Sequence, residues 1–139
     1  MLFDERKAGR MEKITLVWEG PYRTYGEIYR KWDESMKGIY VMTDGKMVPL
    51  YIGKTYNKYG FGDRYNGHSF IDAAMKGASK MLFFARIPNR KRGEAIEREL
   101  IWSERSNPSL TNSRAKDKEP PTHIQIQHEG SPRPKFLKT

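Results

Sequence analysis

Tyr40 and Tyr51, Arg64 and His68, and Glu99 are residues whose types suit one piece of chemistry, the hydrolysis of a phosphate ester. That reaction needs a positioned water, a route for its proton, neutralisation of charge on the phosphate, and help for the leaving oxygen. An arginine grips a phosphate through its planar fork. A histidine moves a proton near neutral pH. A carboxylate holds a hard cation such as Mg2+, which takes oxygen ligands and often needs only one or two protein carboxylates. A phenol can orient water or phosphate. It acts as a base only where nearby positive charge lowers its ordinary pKa of about 10. Singly, none of these residues is unusual. Tyrosines are common in strands, and Glu99 has Glu94, Glu97 and Glu104 as acidic neighbours.

The surrounding elements supply the grouping. KGIYVMT (37–43) and PLYIGKT (49–55) are β-rich runs around Asp44-Gly45, a strong hairpin signal. A tight turn there sets Tyr40 opposite Pro49, with Tyr51 on the same face, while Ile39, Val41, Leu50 and Ile52 fill the other. Arg64 and His68 share one face of a helix-like stretch, DRYNGHSFIDAAMKGA (63–78). Glu99 falls in the longest expected helix, Arg92 to Arg105, which Asn107-Pro108 stops. Glu97 is an alternative to it, on a different side of that helix. The loop YNKYGFGD (56–63) interleaves Lys58 and Tyr59 with Tyr56 and Phe61, a mixture that suits stacking on bases and touching phosphate. Lys54 is a further candidate phosphate contact.

Elsewhere, KITLVW (13–18) and KMLFFARI (80–87) read as strands, and TYGEIYRKWDESM (24–36) as an amphipathic helix. HIQIQHEG (123–130) alternates like an edge strand, and SPRPKFLKT reads as a loose basic tail. The expected architecture is a small α+β domain, with a three-stranded, mainly antiparallel sheet flanked by helices.

Composition narrows the class. The 139 residues suggest one domain. Lys and Arg number 26 against 17 Asp and Glu, a net charge of +9 that favours a polyanionic partner. The absence of cysteine excludes disulfides, thiolate metal sites and thiol catalysis. No apolar signal core opens the chain and no apolar run is long enough to span a bilayer, so the expected setting is intracellular and off the membrane.

Gly38-Ile39-Tyr40 followed by Tyr51-Ile52-Gly53 resembles the paired signature of the GIY-YIG nucleases. The rest of the order is similar too. Arg64 stands where the family has an arginine after the hairpin, and His68 matches the histidine four residues on in some homing and restriction members. Glu99 precedes Pro108 as the metal-binding glutamate of repair members precedes its proline, and Asn112 follows like the family asparagine, with Asn107 as its competitor. The resemblance covers roughly residues 37–112, leaving an N-terminal strand-helix extension (1–36) and a polar, basic C-terminal segment (113–139) outside it. It implies an endonuclease that uses one Mg2+ or Mn2+ ion to hydrolyse phosphodiester bonds in DNA, leaving 5′-phosphate and 3′-hydroxyl ends. In that scheme Glu99 holds the metal, Arg64 neutralises the phosphate, Tyr40, Tyr51 and His68 handle water and proton, and Gly38, Gly53 and Asn112 support the site. Monomer and homodimer both fit. A non-catalytic nucleic-acid-binding module is the alternative.

Overall fold

The computed structural model describes residues 12–23, 27, 37–56, 80–112, 116 and 118–137. They form strands β1 (Glu12–Tyr22), β2 (Gly38–Thr43), β3 (Pro49–Thr55), β4 (Met81–Arg86) and β5 (Ile124–Glu129), with helix α1 (Arg90–Ser103). The strands make one sheet in the order β3-β2-β4-β1-β5. Pairing is antiparallel except between β1 and β5, which run parallel.

The expected three-stranded, mainly antiparallel sheet flanked by helices is therefore corrected. The described chain is a curled half-barrel of five mixed strands with one short helix. The physical reason lies in β1 and β5. Leu16 and Trp18 alternate inward on β1, and Ile124 does so on β5. These side chains need a shared core, so both strands join the sheet instead of standing outside it. The helix expected at 63–78, and all of that expected at 24–36 except Glu27, lie outside the described residues. No helix among the described residues is long and apolar enough to cross a membrane.

Every residue of β2 is buried, as is all of β4 except Arg86. This explains the unbroken apolar run Leu82–Ala85, since strands buried on both faces read as continuous rather than alternating. One face carries Ile39, Val41, Ile52, Phe83 and Ala85, against which α1 lays Ile96, Leu100 and Ile101. Asn89 caps α1 by accepting a hydrogen bond from the Arg92 N–H at 2.9 Å.

The β2–β3 connection is longer than the tight turn expected. Asp44 organises it by accepting the N–H groups of Lys46 and Val48 on Oδ1, at 2.8 and 3.0 Å. An Asx-type turn of this kind competes with a two-residue hairpin. Tyr40 thus pairs with Gly53, not Pro49. The longer loop and an irregularity between Met42 and Thr43 together make up the difference.

The segment read as a loose basic tail is docked through residue 137. Lys135 N–H donates to the Met47 carbonyl at 2.8 Å, and Leu137 N–H to Glu104 Oε2 at 2.6 Å. Phe136 enters the core and stacks on His128 at 4.4 Å, beside Trp18. The Trp18 indole N–H donates to His128 Nδ1 at 2.9 Å, which requires an unprotonated Nδ1.

Burial, with a smaller push from Arg133, lowers the His128 pKa from 6.5 to about 4. The unfolded chain thus binds this proton more readily than the folded one. Stability from this group is complete above 6.5 and is lost as pH falls from 6.5 towards about 4. His128→Asn puts an amide oxygen at the Nδ1 position, so it keeps an acceptor for Trp18 but cannot titrate. Its melting temperature should fall less than the wild type's between neutral pH and about pH 4. Parallel curves for the two proteins across that window would refute the assignment.

Candidate functional site

The longer hairpin preserves the parity that matters. Tyr40 lies opposite Gly53, and Tyr51, two residues from Gly53 along β3, falls on the same face. The rings stack with centroids 6.1 Å apart and planes inclined by 30°. Their hydroxyls are hydrogen-bonded to each other, and burial above all raises the pKa of both phenols.

Both glycines of the hairpin make room. A Cβ at Gly53 would overlap the ring and hydroxyl of Tyr40, so the glycine is the floor on which that ring lies. A Cβ at Gly38 would strike the Ala85 carbonyl of β4. One glycine thus admits the neighbouring strand and the other seats the phenol.

The outer edge of β3 is closed by side chains. Asn112 accepts the Ile52 N–H at 2.9 Å and donates to the Ile52 carbonyl at 2.7 Å. This clamps the backbone between Tyr51 and Gly53. Asn107 Nδ2 donates to the Pro49 carbonyl at 2.9 Å, and the Thr111 N–H donates to the Leu50 carbonyl at 2.8 Å. Asn107 and Asn112 therefore brace the same edge at different points.

Helix α1 brings Glu97, not Glu99, towards the phenols. Lys54 Nζ sits 3.1 Å from Glu94 and 3.6 Å from Glu97. The charge of Glu97 raises the pKa of both Tyr40 and Tyr51, after the larger effect of burial. Burial raises the pKa of Glu97 itself, and Lys54 opposes that rise. Tyr56 joins the group. Its buried hydroxyl packs where a Cβ at Gly93 would be, and has no hydrogen-bond partner among the described residues. Burial, then Glu94 and Glu97, pushes its pKa up to about 12.

Glu99 turns the other way. Its two oxygens lie 3.2 and 3.1 Å from His123 Nδ1, while His123 Nε2 lies 3.0 Å from Glu119. Carboxylates on both ring nitrogens favour the imidazolium, and the hydrogen bonds to Glu119 and then Glu99 raise the His123 pKa. A groove along α1 and β5 is lined by Glu99, Trp102 and His123 and is a different place from the tyrosine pair.

Arg64, His68, Lys58 and Tyr59 lie outside the described residues. Among the described residues no cluster of three potential metal ligands forms. Glu94 and Glu97 converge on the Lys54 ammonium. Sequence reasoning placed Tyr56 in a base-stacking loop and passed over Gly93 and His123. The signal for the first two was Gly93 itself, since a glycine inside a helix usually marks a close approach.

Gly53→Ala should force the Tyr40 ring aside and cost roughly 1–3 kcal/mol of stability, as overpacking does in a tight interior. Chemical denaturation measures this. A cost near zero would mean that Gly53 does not seat the ring.

No protein-family model matches the chain, and neither a curated protein nor a solved structure matches it significantly.

Proposed function

We propose that this chain is a metal-dependent endonuclease that hydrolyses phosphodiester bonds in DNA, leaving 5′-phosphate and 3′-hydroxyl ends. The observation that carries the reading is the Tyr40–Tyr51 pair, hydrogen-bonded and stacked across the hairpin, with Glu97 and Lys54 beside it. The net charge of +9 suits a polyanionic substrate. The intact triplets Gly38-Ile39-Tyr40 and Tyr51-Ile52-Gly53 support it independently.

Each group has a task that its surroundings favour. Tyr40 is mostly buried, and burial keeps its phenol protonated. Its assigned task is hydrogen bonding. Tyr51, only half-buried, would meet a phosphoryl oxygen or the attacking water. Lys54 supplies positive charge once it leaves its carboxylates for the phosphate. Glu97, with Glu94, would hold Mg2+ or Mn2+. Bound there, the ion supplies charge neutralisation and help to the leaving 3′ oxygen. Arg64 and His68 retain the phosphate and proton tasks that the sequence suggests.

The deciding experiment is cleavage of duplex, nicked, branched and single-stranded DNA with Mg2+ or Mn2+. Glu97→Gln and Tyr51→Phe should each slow cleavage about 100-fold or more, the scale of losing one transition-state contact. Glu99→Gln should change it little. Inactive Glu99→Gln beside active Glu97→Gln would move the metal role back to Glu99. Tight, salt-sensitive DNA binding without cleavage in any metal would replace the enzyme with a binding module.

A further inference from the structure

We propose that β5 is a self-pairing edge, through which two copies of the chain form one continuous sheet. Among the described residues, strand β5 ends the sheet and pairs on one side only, with β1. Its outward side chains, Gln125, Gln127 and Glu129, are exposed. Natural edges are usually blunted by lysine, proline or a bulge. Ile124–Glu129 contains neither lysine nor proline, and its pairing with β1 is regular throughout.

The occupant follows from the order of residues. Antiparallel pairing requires opposed residues to share a face. Two β5 strands centred on Ile126 meet that rule at every position. Gln125 then lies opposite Gln127 of the second copy, and Ile124 opposite its His128. The half-buried Ile126 of each copy meets the other on the face that α1 covers, extending the apolar core across the junction. A one-residue slip would set apolar side chains against exposed ones. DNA does not suit this rim, because Glu99, Glu119 and Glu129 would repel phosphate. The strand itself carries no lysine or arginine, so the chain's basic excess does not oppose the contact here.

Such a dimer has a consequence for the proposed cleavage, and this step rests on that reading. From β2 to its copy are seven strand steps of about 4.8 Å, or about 34 Å along a flat sheet. Curling shortens this. Two sites so placed fit the two strands of one duplex turn, about 34 Å long.

The test of pairing uses no enzymatic readout, so it fails or succeeds separately from the nuclease reading. The chain lacks cysteine, so one introduced thiol reports cleanly. Directly opposed Cα atoms in antiparallel strands lie about 4.5–5.5 Å apart, within disulfide range. Ile126→Cys should therefore form a covalent dimer on mild oxidation, much faster than Lys46→Cys on the exposed hairpin loop. Sedimentation of the wild type should show a monomer–dimer equilibrium. Gln125→Lys with Gln127→Lys, both at exposed positions, should raise its dissociation constant at least tenfold. Gln125→Glu with Gln127→Lys should restore it, since opposite charges then face each other. Wild-type monomer at every soluble concentration overturns the proposal. So does dimerisation of the double-lysine variant at wild-type strength, or equal cross-linking of the two cysteine variants.

Discussion

Strand β2 is enclosed on both faces and flanked by β3 and β4, and the rest of the structure answers to that confinement. A strand so placed has no water for its polar groups, so each must find a protein partner. Its backbone does so in two ladders. Gly38 permits the close approach to β4. Tyr40 is the one large polar side chain in the strand, and its ring fits only because Gly53 leaves a floor for it. Its hydroxyl reaches Tyr51. The two triplets are thus linked by packing. The glycine of the second accommodates the tyrosine of the first.

Much of the hairpin was legible, because alternation and turn residues are local signals. The shared face of Tyr40 and Tyr51 follows from the sequence even though the register does not. The true register differs from the expected one by an even number of residues, and only an odd slip would part the two phenols. The loop itself was misread because Asp44-Gly45 resembles a two-residue turn, whereas the Asp44 carboxylate gathers N–H groups further along. The five-stranded sheet was not legible. That β1 lies between β4 and β5 depends on pairings far apart in the chain, such as Trp18 with Ala85 and Leu16 with His128. No local pattern specifies such partners.

The choice between Glu97 and Glu99 shows the same limit at the scale of one helix turn. Both lie in α1, and spacing alone says only that they face different ways. Their environments separate them. Glu99 is held by His123 from the C-terminal part of the chain. Glu97 meets Lys54, which directly follows the second triplet. The distinction comes from tertiary neighbours, and Gly93 was its sole local trace: one turn before Glu97, it marks where Tyr56 lets helix and hairpin close together.

The surroundings of the two phenols then constrain the chemistry. A phenol that serves as a base needs its anion stabilised by nearby positive charge. Tyr40 has the opposite: burial, Tyr51 and Glu97 all act against its anion. Tyr51 is less buried and has Lys54 near enough to favour its ionised form, although burial and Glu97 still hold its pKa up. Tyr40 is thus the inner phenol and Tyr51 the half-exposed one, and the described surroundings of neither favour loss of its proton. Under the proposed cleavage the pair would support charge on the phosphate, and proton removal would fall to another group.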